Sequence, residues 1–474
     1  MTYTIKNRYF GNKEFYKKTL AVALPIMIQN GITNFVGLLD NIMVGQMGTE
    51  QMAGVSIVNQ FLFIFNLAIF GAIAGPGIFT AQYYGKGDEE GVRNTFRLKM
   101  IIGFCLTAIA IFVYLTFGSS LIDIFLKGEA KEFDLGLAHA EGMKYMKVML
   151  IGLLPFALEQ CYSGTLRECG ETVVSMKAGA IAILVNLVLN YILIFGRFGA
   201  PELGVVGAAY ATVISRFVQF AIVATWTHKH TKKMPFIVGA YRSFGVPGAL
   251  VVRILKKGFP LLVNELLWSL GITMLNQCYS LRGLDAVAAI NIASTINNLF
   301  NVAFIALGDS VAILVGQQLG AGEFEEAKDT DRKLIVFSGL VCVGLGILLF
   351  TFAPLFPRFY NTTTEVKALA VSFMRVAALF IPVWGLTHAI YFTMRSGGKT
   401  FITFLFDSAF MWCVVYVVAY LLSRKTDIAV IPMYFLVQAV DIIKVIIGAI
   451  LVKKGVWVAN IVDNEPADTK AEEV

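Results

Sequence analysis

Charge is what this chain most lacks. Only 15% of its 474 residues are Asp, Glu, Lys or Arg, against roughly 25% in an ordinary soluble domain, so there is too little polar side chain to face water. The six cysteines (Cys105, Cys161, Cys169, Cys278, Cys342 and Cys413) stand in or beside apolar stretches with no CxxC spacing. That argues against a disulfide framework or a zinc centre and leaves them as small packing residues. No HExxH, Gly-Lys phosphate loop or Ser/His/Asp-like cluster is present on facing spans, which disfavours the remote alternative of a membrane-embedded enzyme or receptor. The basic start MTYTIKNRYFGNKEFYKK runs into apolar sequence containing Pro25 and Asn30, without a short apolar core and small-residue cleavage site, so the first span is expected to be retained.

What is present is apolar sequence: 57% of residues are hydrophobic and the mean hydropathy is +0.71. Stretches of about 20 apolar residues recur, each long enough to cross a hydrocarbon core of roughly 30 Å as a helix. Closed helices are the natural reading, since backbone groups exposed to lipid cannot find water. The spans read as 17–45, 52–84, 94–120, 139–166, 172–198, 204–228, 254–281, 286–319, 332–355, 366–395, 400–422 and 428–452. With the N-terminus inside, the cytoplasmic segments hold about 26 of the 39 Lys and Arg and the outer ones about 10, the positive-inside bias. Both termini are therefore expected in the cytoplasm of a multi-pass protein of the cell (inner) membrane. The basic stretch 229–253 reads as a cytoplasmic linker between bundles 1–228 and 254–474, and NEPADTKAEEV as a short acidic tail.

A shift of 235 residues lays positions 25–87 on 260–322 without a gap: Pro25 meets Pro260, Asn41 meets Asn276 and Gly48 meets Gly283. Further on, Asn66 meets Asn301, Gln82 meets Gln317, Gly85 meets Gly320 and Gly87 meets Gly322. A second register of 228 lays TLRECGET (165–172) on TMRSGGKT (393–400). Six spans per copy is an even number, so both copies enter the membrane in the same direction. The expected fold is all-α integral membrane, with twelve transmembrane helices in two six-helix bundles related by a parallel pseudo-twofold repeat and a binding region between them. Such a frame suits transport by alternating access.

At LLDNIMVGQMGTEQMAGVSI, GQQLGAG, LRECGET and LNYILIFGRFGAPELGVVGAAYATVISR the chain resembles the multidrug and toxic compound extrusion (MATE) family of the MOP flippase superfamily. The resemblance covers nearly the whole length. It implies a secondary active multidrug exporter that antiports amphipathic, often cationic organic compounds against H⁺ or Na⁺. Implied partners are small organic substrates and membrane lipids, with no nucleic acid, no cofactor beyond the coupling ion, and a monomer as the working unit. A lipid-linked saccharide flippase of the same superfamily is the alternative, but it would favour extra spans and a cavity rich in Arg and Lys.

An ionised side chain near the bilayer centre costs roughly 2.5 to 3.5 kcal/mol, so intramembrane acids need partners or a wet cavity. Asp40 lies about 33 Å along span one from Lys18, and Asn186 and Asn190, one turn apart on span five, about 22 and 28 Å from Glu171. Thr212 sits roughly 13 Å from the outer end of span six. One carboxylate with amide and hydroxyl oxygens at shared depth suits Na⁺ or a proton; alternatively the asparagines only join helices. The resemblance implies that Asp40 is the coupling acid, with Asn186, Asn190 and Thr212 as neighbours and no metal other than Na⁺ at Asp40. Some members carry a second acid where Asn190 stands, which leaves proton coupling open.

In the second half, Glu265, Asp309, His388 and Asp407 fall about 10 to 16 Å from the cytoplasmic ends of their spans, one polar layer. They form either a working site or a structural ion-pair network. Glu265 resembles the span-seven acid of one branch of the family, whose second acid in span ten is absent here, with Thr387 and His388 nearby. Asp441 and Lys444 are three apart and expected to pair. Arg216 is expected to pair with an acid of its bundle. His228, His230, Lys232 and Lys233 read as a solvated linker rather than a metal tract.

Overall fold

The computed structural model describes residues 8–126, 134–360 and 362–463, without the side chains of 35–42, 45 and 49. Among the described residues there is no strand. The chain forms α1 (Lys13–Gly45), α2 (Thr49–Lys86) and α3 (Glu89–Leu126). Next comes α4, which runs as Leu135–Met149, a 3₁₀ turn Leu150–Gly152, and Leu153–Glu168. Then follow α5 (Thr172–Phe195), α6 (Gly204–Lys229), α7 (Gly248–Ser280), α8 (Leu284–Gly320), α9 (Phe324–Phe352) and α10 (Thr364–Ser396). The last two runs are α11 (Thr400–Lys425) and α12 (Val430–Lys453).

Ten of these runs are long and apolar enough to cross a membrane. α4 reads more weakly because Glu141, Lys144, Lys147 and Glu159 dilute its apolar sequence. Large apolar side chains such as Phe112, Leu115, Leu184 and Ile347 are more than three-fifths exposed. In water such exposure would be costly, whereas lipid tails are a matching solvent.

The duplication is visible in the backbone. Pro25 lies inside α1 and Pro260 inside α7. Gly48 and Gly283, which precede α2 and α8, both have positive φ (137° and 112°), as do Gly87 and Gly322 after them (78° and 80°). Only glycine takes these values without strain. Each helix ends in the same left-handed cap: Asp88 N–H donates to Tyr83 O (2.9 Å) and Glu323 N–H to Gln318 O (3.0 Å). The second register holds too, since Gly170 and Gly398 have φ 86° and 68°. There Glu171 N–H meets Leu166 O (2.8 Å) and Lys399 N–H meets Met394 O (3.2 Å). Residue 25 onward therefore matches 260 onward as the sequence predicts.

By contacts the chain forms two compact units, one of residues 1–27, 78–92 and 253–474 and the other of 28–77 and 93–252. In the second, Tyr114 Oη donates to Phe61 O (2.7 Å), joining α3 to α2. The segment between α6 and α7 is docked there rather than simply solvated. Met234, Phe236, Ile237 and Ala240 are buried, Arg93 Nε donates to Phe236 O (3.1 Å), and Arg97 Nε donates to Ala240 O (2.9 Å). His228 stacks on Tyr241, with ring centroids 5.8 Å apart, and burial pushes the Tyr241 phenol upward.

In the first unit the end of α2 meets the end of α8 about the repeat. A Cβ on Gly85 would lie 1.9 Å from Gln317 O, and one on Gly320 would lie 1.9 Å from Gln82 O. Since Gln82 and Gln317 are themselves repeat equivalents, the contact is reciprocal, as twofold packing demands. Gly85→Val and Gly320→Val should each lower the unfolding temperature in detergent by an amount worth about 2 kcal/mol or more. Gly344→Ala, whose Cβ meets nothing within 4 Å, should leave that temperature unchanged or raise it. Equal losses in all three would contradict the reciprocal seam.

Candidate functional site

In the unit of 28–77 and 93–252, a polar ladder joins α5 to α6. Asn190 Nδ2 donates to Asn186 Oδ1 (3.1 Å), and Asn186 Nδ2 donates to Thr212 Oγ1 (3.3 Å). Asn186 and Asn190 are buried, and their spacing of four stacks them on one face of α5. The three residues singled out in the sequence are thus brought together. Asp40 lies on α1, but its side chain is outside the described residues. Arg216 differs from expectation: it donates to Gly152 O (3.2 Å) and lies 4.9 Å over the Phe156 ring. The 3₁₀ turn in α4 places that carbonyl within its reach.

The same unit buries charge that the depth argument overlooked. Glu159, 2% exposed, accepts from Ser163 Oγ and from Gln160 Nε2 (2.8 Å), with Gln219 beside it. Lys99, fully buried, pairs with Glu168 and donates to Thr165 Oγ1 (3.0 Å). Thr393, the repeat partner of Thr165, instead donates to the buried Asp331 (2.5 Å). One backbone position has acquired opposite charges in the two halves.

In the other unit, α7, α10, α11 and α12 build one connected network. Lys444 Nζ reaches Asp407 Oδ1 at 2.6 Å, and Asn264 Nδ2 donates to Asp407 Oδ2 at 3.0 Å. Asn264 Nδ2 also approaches Tyr391 Oη (3.4 Å), which donates to Glu265 Oε1 (3.4 Å). Asn264 is fixed by Ser408, whose N–H meets its Oδ1 (3.2 Å) and whose Oγ meets its carbonyl (2.7 Å). Asp407 occupies a π-helical turn, Leu405–Ala409. Such wide turns recur at functional sites.

Glu265 also lies within electrostatic reach of Arg395, Asp407 and Asp309. His388 Nδ1 is 3.0 Å from Trp384 O, its ring 4.7 Å from that of Phe304, and it faces the charge of Asp407. The structure thus brings Glu265, Asp407 and His388 close together and places Asp309 within electrostatic reach of Glu265. The expected Asp441 to Lys444 pair does not form, because Lys444 turns to Asp407 on α11 while Asp441 bonds Trp384. Among the described residues no group of three His, Cys, Asp or Glu could hold a metal ion.

The MatE family model matches residues 25–192 and 260–421, its two segments beginning at the repeated prolines. The chain belongs to the MatE family. Over 440 residues it is 25% identical to the probable multidrug resistance protein NorM of Thermotoga maritima, covering 90% of each chain. It is also 25% identical over 421 residues to the probable multidrug resistance protein YoeA of Bacillus subtilis, covering 87% of this chain and 88% of that one. A crystal structure of MATE in the straight conformation superposes with a TM-score of 0.83 at 21% identity, over 96% of this chain and 98% of that one. The MatE fold is thus all-α, with twelve transmembrane helices in two six-helix bundles.

Within this MatE chain, Asn264, Tyr391, Arg395, Ser408 and the Lys444 link to Asp407 escaped the sequence reading. Arg395 stood in the quoted TMRSGGKT, and Asn264 adjoins Glu265; the spacing that pairs them across helices is not a sequence signal. Lys444→Met should cost about 3 kcal/mol by leaving the largely desolvated Asp407 without its cation, and Lys444→Met with Asp407→Leu should recover most of it. Thermal unfolding at matched detergent checks this. A comparable loss in Asp441→Asn would mean that the pair has been misassigned.

Proposed function

We propose that this MatE protein is a secondary active exporter of amphipathic, often cationic organic compounds, exchanging them for H⁺ or Na⁺ entering down its gradient. The observation that carries the reading is the family match over both repeats, together with relatives at 25% identity named as multidrug resistance proteins. Buried polar sites in both halves support it, since transporters place ion-binding groups inside the bundle where helix packing can respond to them.

The coupling ion is taken up at Asp40, whose carboxylate a proton or Na⁺ can neutralise, with Asn186, Asn190 and Thr212 supplying oxygens and hydrogen-bond donors. Neutralisation changes which hydrogen bonds the ladder makes and so gives the bundle two states. A substrate bound between bundles 1–228 and 254–474 needs only to favour one of them to be coupled to ion entry. Glu265, Asp309, His388 and Asp407 form a second polar site, with Asp407 locked by Lys444 and Glu265 the more adjustable acid. The protein works as a monomer in the cell (inner) membrane with both termini and segment 229–253 in the cytoplasm, in keeping with the distribution of Lys and Arg.

Asp40→Asn keeps shape and polarity but removes the titration. At equal expression it should retain folding and substrate binding while gradient-driven efflux falls at least about a hundredfold, the scale of a lost coupling free energy near 3 kcal/mol. Glu265→Gln should reduce efflux less. Full efflux in Asp40→Asn with loss in Glu265→Gln would move the coupling acid to the second half.

A further inference from the structure

The chain does not end its fold at α12. Residues 454–463 turn back and lie across the seam where the ends of α2 and α8 meet. The Gln82 side chain, fully buried, grips this segment from both sides of its amide. Its Oε1 accepts from Ile461 N–H (2.8 Å), and its Nε2 donates to Ala459 O (3.2 Å) and to Ser396 O at the end of α10 (2.9 Å).

Asn460 Nδ2 donates to Gly320 O (3.2 Å), the glycine of the reciprocal seam. Arg253 at the start of α7 donates to Ile461 O, and Lys86 at the end of α2 pairs with Asp463 (3.0 Å). Trp457 is 1% exposed, and its carbonyl packs so close to Gly397 that a Cβ there would lie 1.6 Å away. One segment thus ties an element of the first repeat, α2, to three of the second: α7, α8 and α10.

We propose that residues 454–463 are a strap that latches the closed cytoplasmic end of the seam, with Gln82 as its positioning residue, and that the strap must leave this seat before that end can open. The inference rests on the cytoplasmic orientation proposed above. The strap bonds the Gln82 and Lys86 side chains of α2 on one side and the Arg253 side chain of α7 and the Gly320 carbonyl of α8 on the other, so separating α2 from α8 with the strap seated breaks one set or the other. A segment that only anchored the C-terminus could have docked on one repeat.

The test reads opening without any substrate, so it does not depend on export. In a background lacking the six native cysteines, Ala81→Cys puts a thiol in the seam, where Ala81 is 3% exposed and lies 3.2 Å from a Cβ on Gly316. Its reaction with a membrane-impermeant maleimide is followed in inside-out vesicles and in intact cells. Gln82→Ala should speed labelling in the inside-out vesicles about tenfold, from the loss of three hydrogen bonds. Gln82→Glu, which keeps the acceptor for Ile461, should fall between. Gly397→Ala, which displaces Trp457, should also speed it.

Bridging Lys86→Cys to Asp463→Cys with a reducible bis-maleimide should stop both labelling and efflux, and reduction should restore them. Unchanged labelling in Gln82→Ala and Gly397→Ala, or full labelling of the bridged protein, would overturn the strap. Acceleration seen only in intact cells would support the strap and overturn the orientation. Accelerated labelling in a protein that exports nothing would support the strap and count against the exporter reading alone.

Discussion

At the ends of α2 and α8, two backbones approach so closely that no side chain fits between them. Gly85 faces Gln317 O and Gly320 faces Gln82 O, each within 1.9 Å of where a Cβ would stand. Much of the surrounding architecture follows from that approach. The two helices can meet this way only if each ends in a left-handed cap that turns the chain aside, which Gly87 and Gly322 provide. The caps launch α3 and α9 immediately, at Glu89 and Phe324, so both repeats unfold from the same junction. A glycine contact of this kind lets the two backbones pack at close range, and the hydrogen bonds around it help to hold the junction.

Duplication copied the backbone and left the charges free to diverge. Thr165 and Thr393 keep the same turn-back bond to the carbonyl four residues earlier, at 2.9 Å in each case, yet one serves Lys99 and the other Asp331. Asn186 and Asn190 build an uncharged ladder in one half, while the other half surrounds Asp407 with Lys444 and Asn264. A carboxylate already paired with an ammonium has less to gain from binding another cation, which suits the Asp407 pair to holding helices in register.

The helices, their number and the repeat were legible because each leaves a periodic trace: apolar runs of membrane length, and glycines and prolines at a fixed offset that the backbone needs for positive φ or for a bend. The Asn186, Asn190 and Thr212 ladder was also legible, because residues four apart on one helix and a residue at equal depth on the next must meet if the helices pack. Partners chosen across helices were not. Lys444 reads as the neighbour of Asp441 until the π turn at Leu405–Ala409 brings Asp407 to it. Glu159 was missed because its hydrogen-bond partners Ser163, Gln160 and Gln219 carry no charge to flag them, and Arg216 because a backbone carbonyl as partner leaves no mark in the sequence. The fold-back of residues 454–463 was invisible for a similar reason, as KGVWVANIVD looks like any loop until its hydrogen bonds are traced.

Exchange of an organic cation for an inward-moving ion is the claim on which the functional account stands. Its most direct test is substrate movement in inverted vesicles carrying the wild-type protein, with a pH difference and a sodium gradient imposed one at a time. The account predicts that one of the two gradients, acting alone, drives substrate against its own concentration gradient and that collapsing it stops transport. Uphill transport with neither gradient present, or none with either, would contradict it.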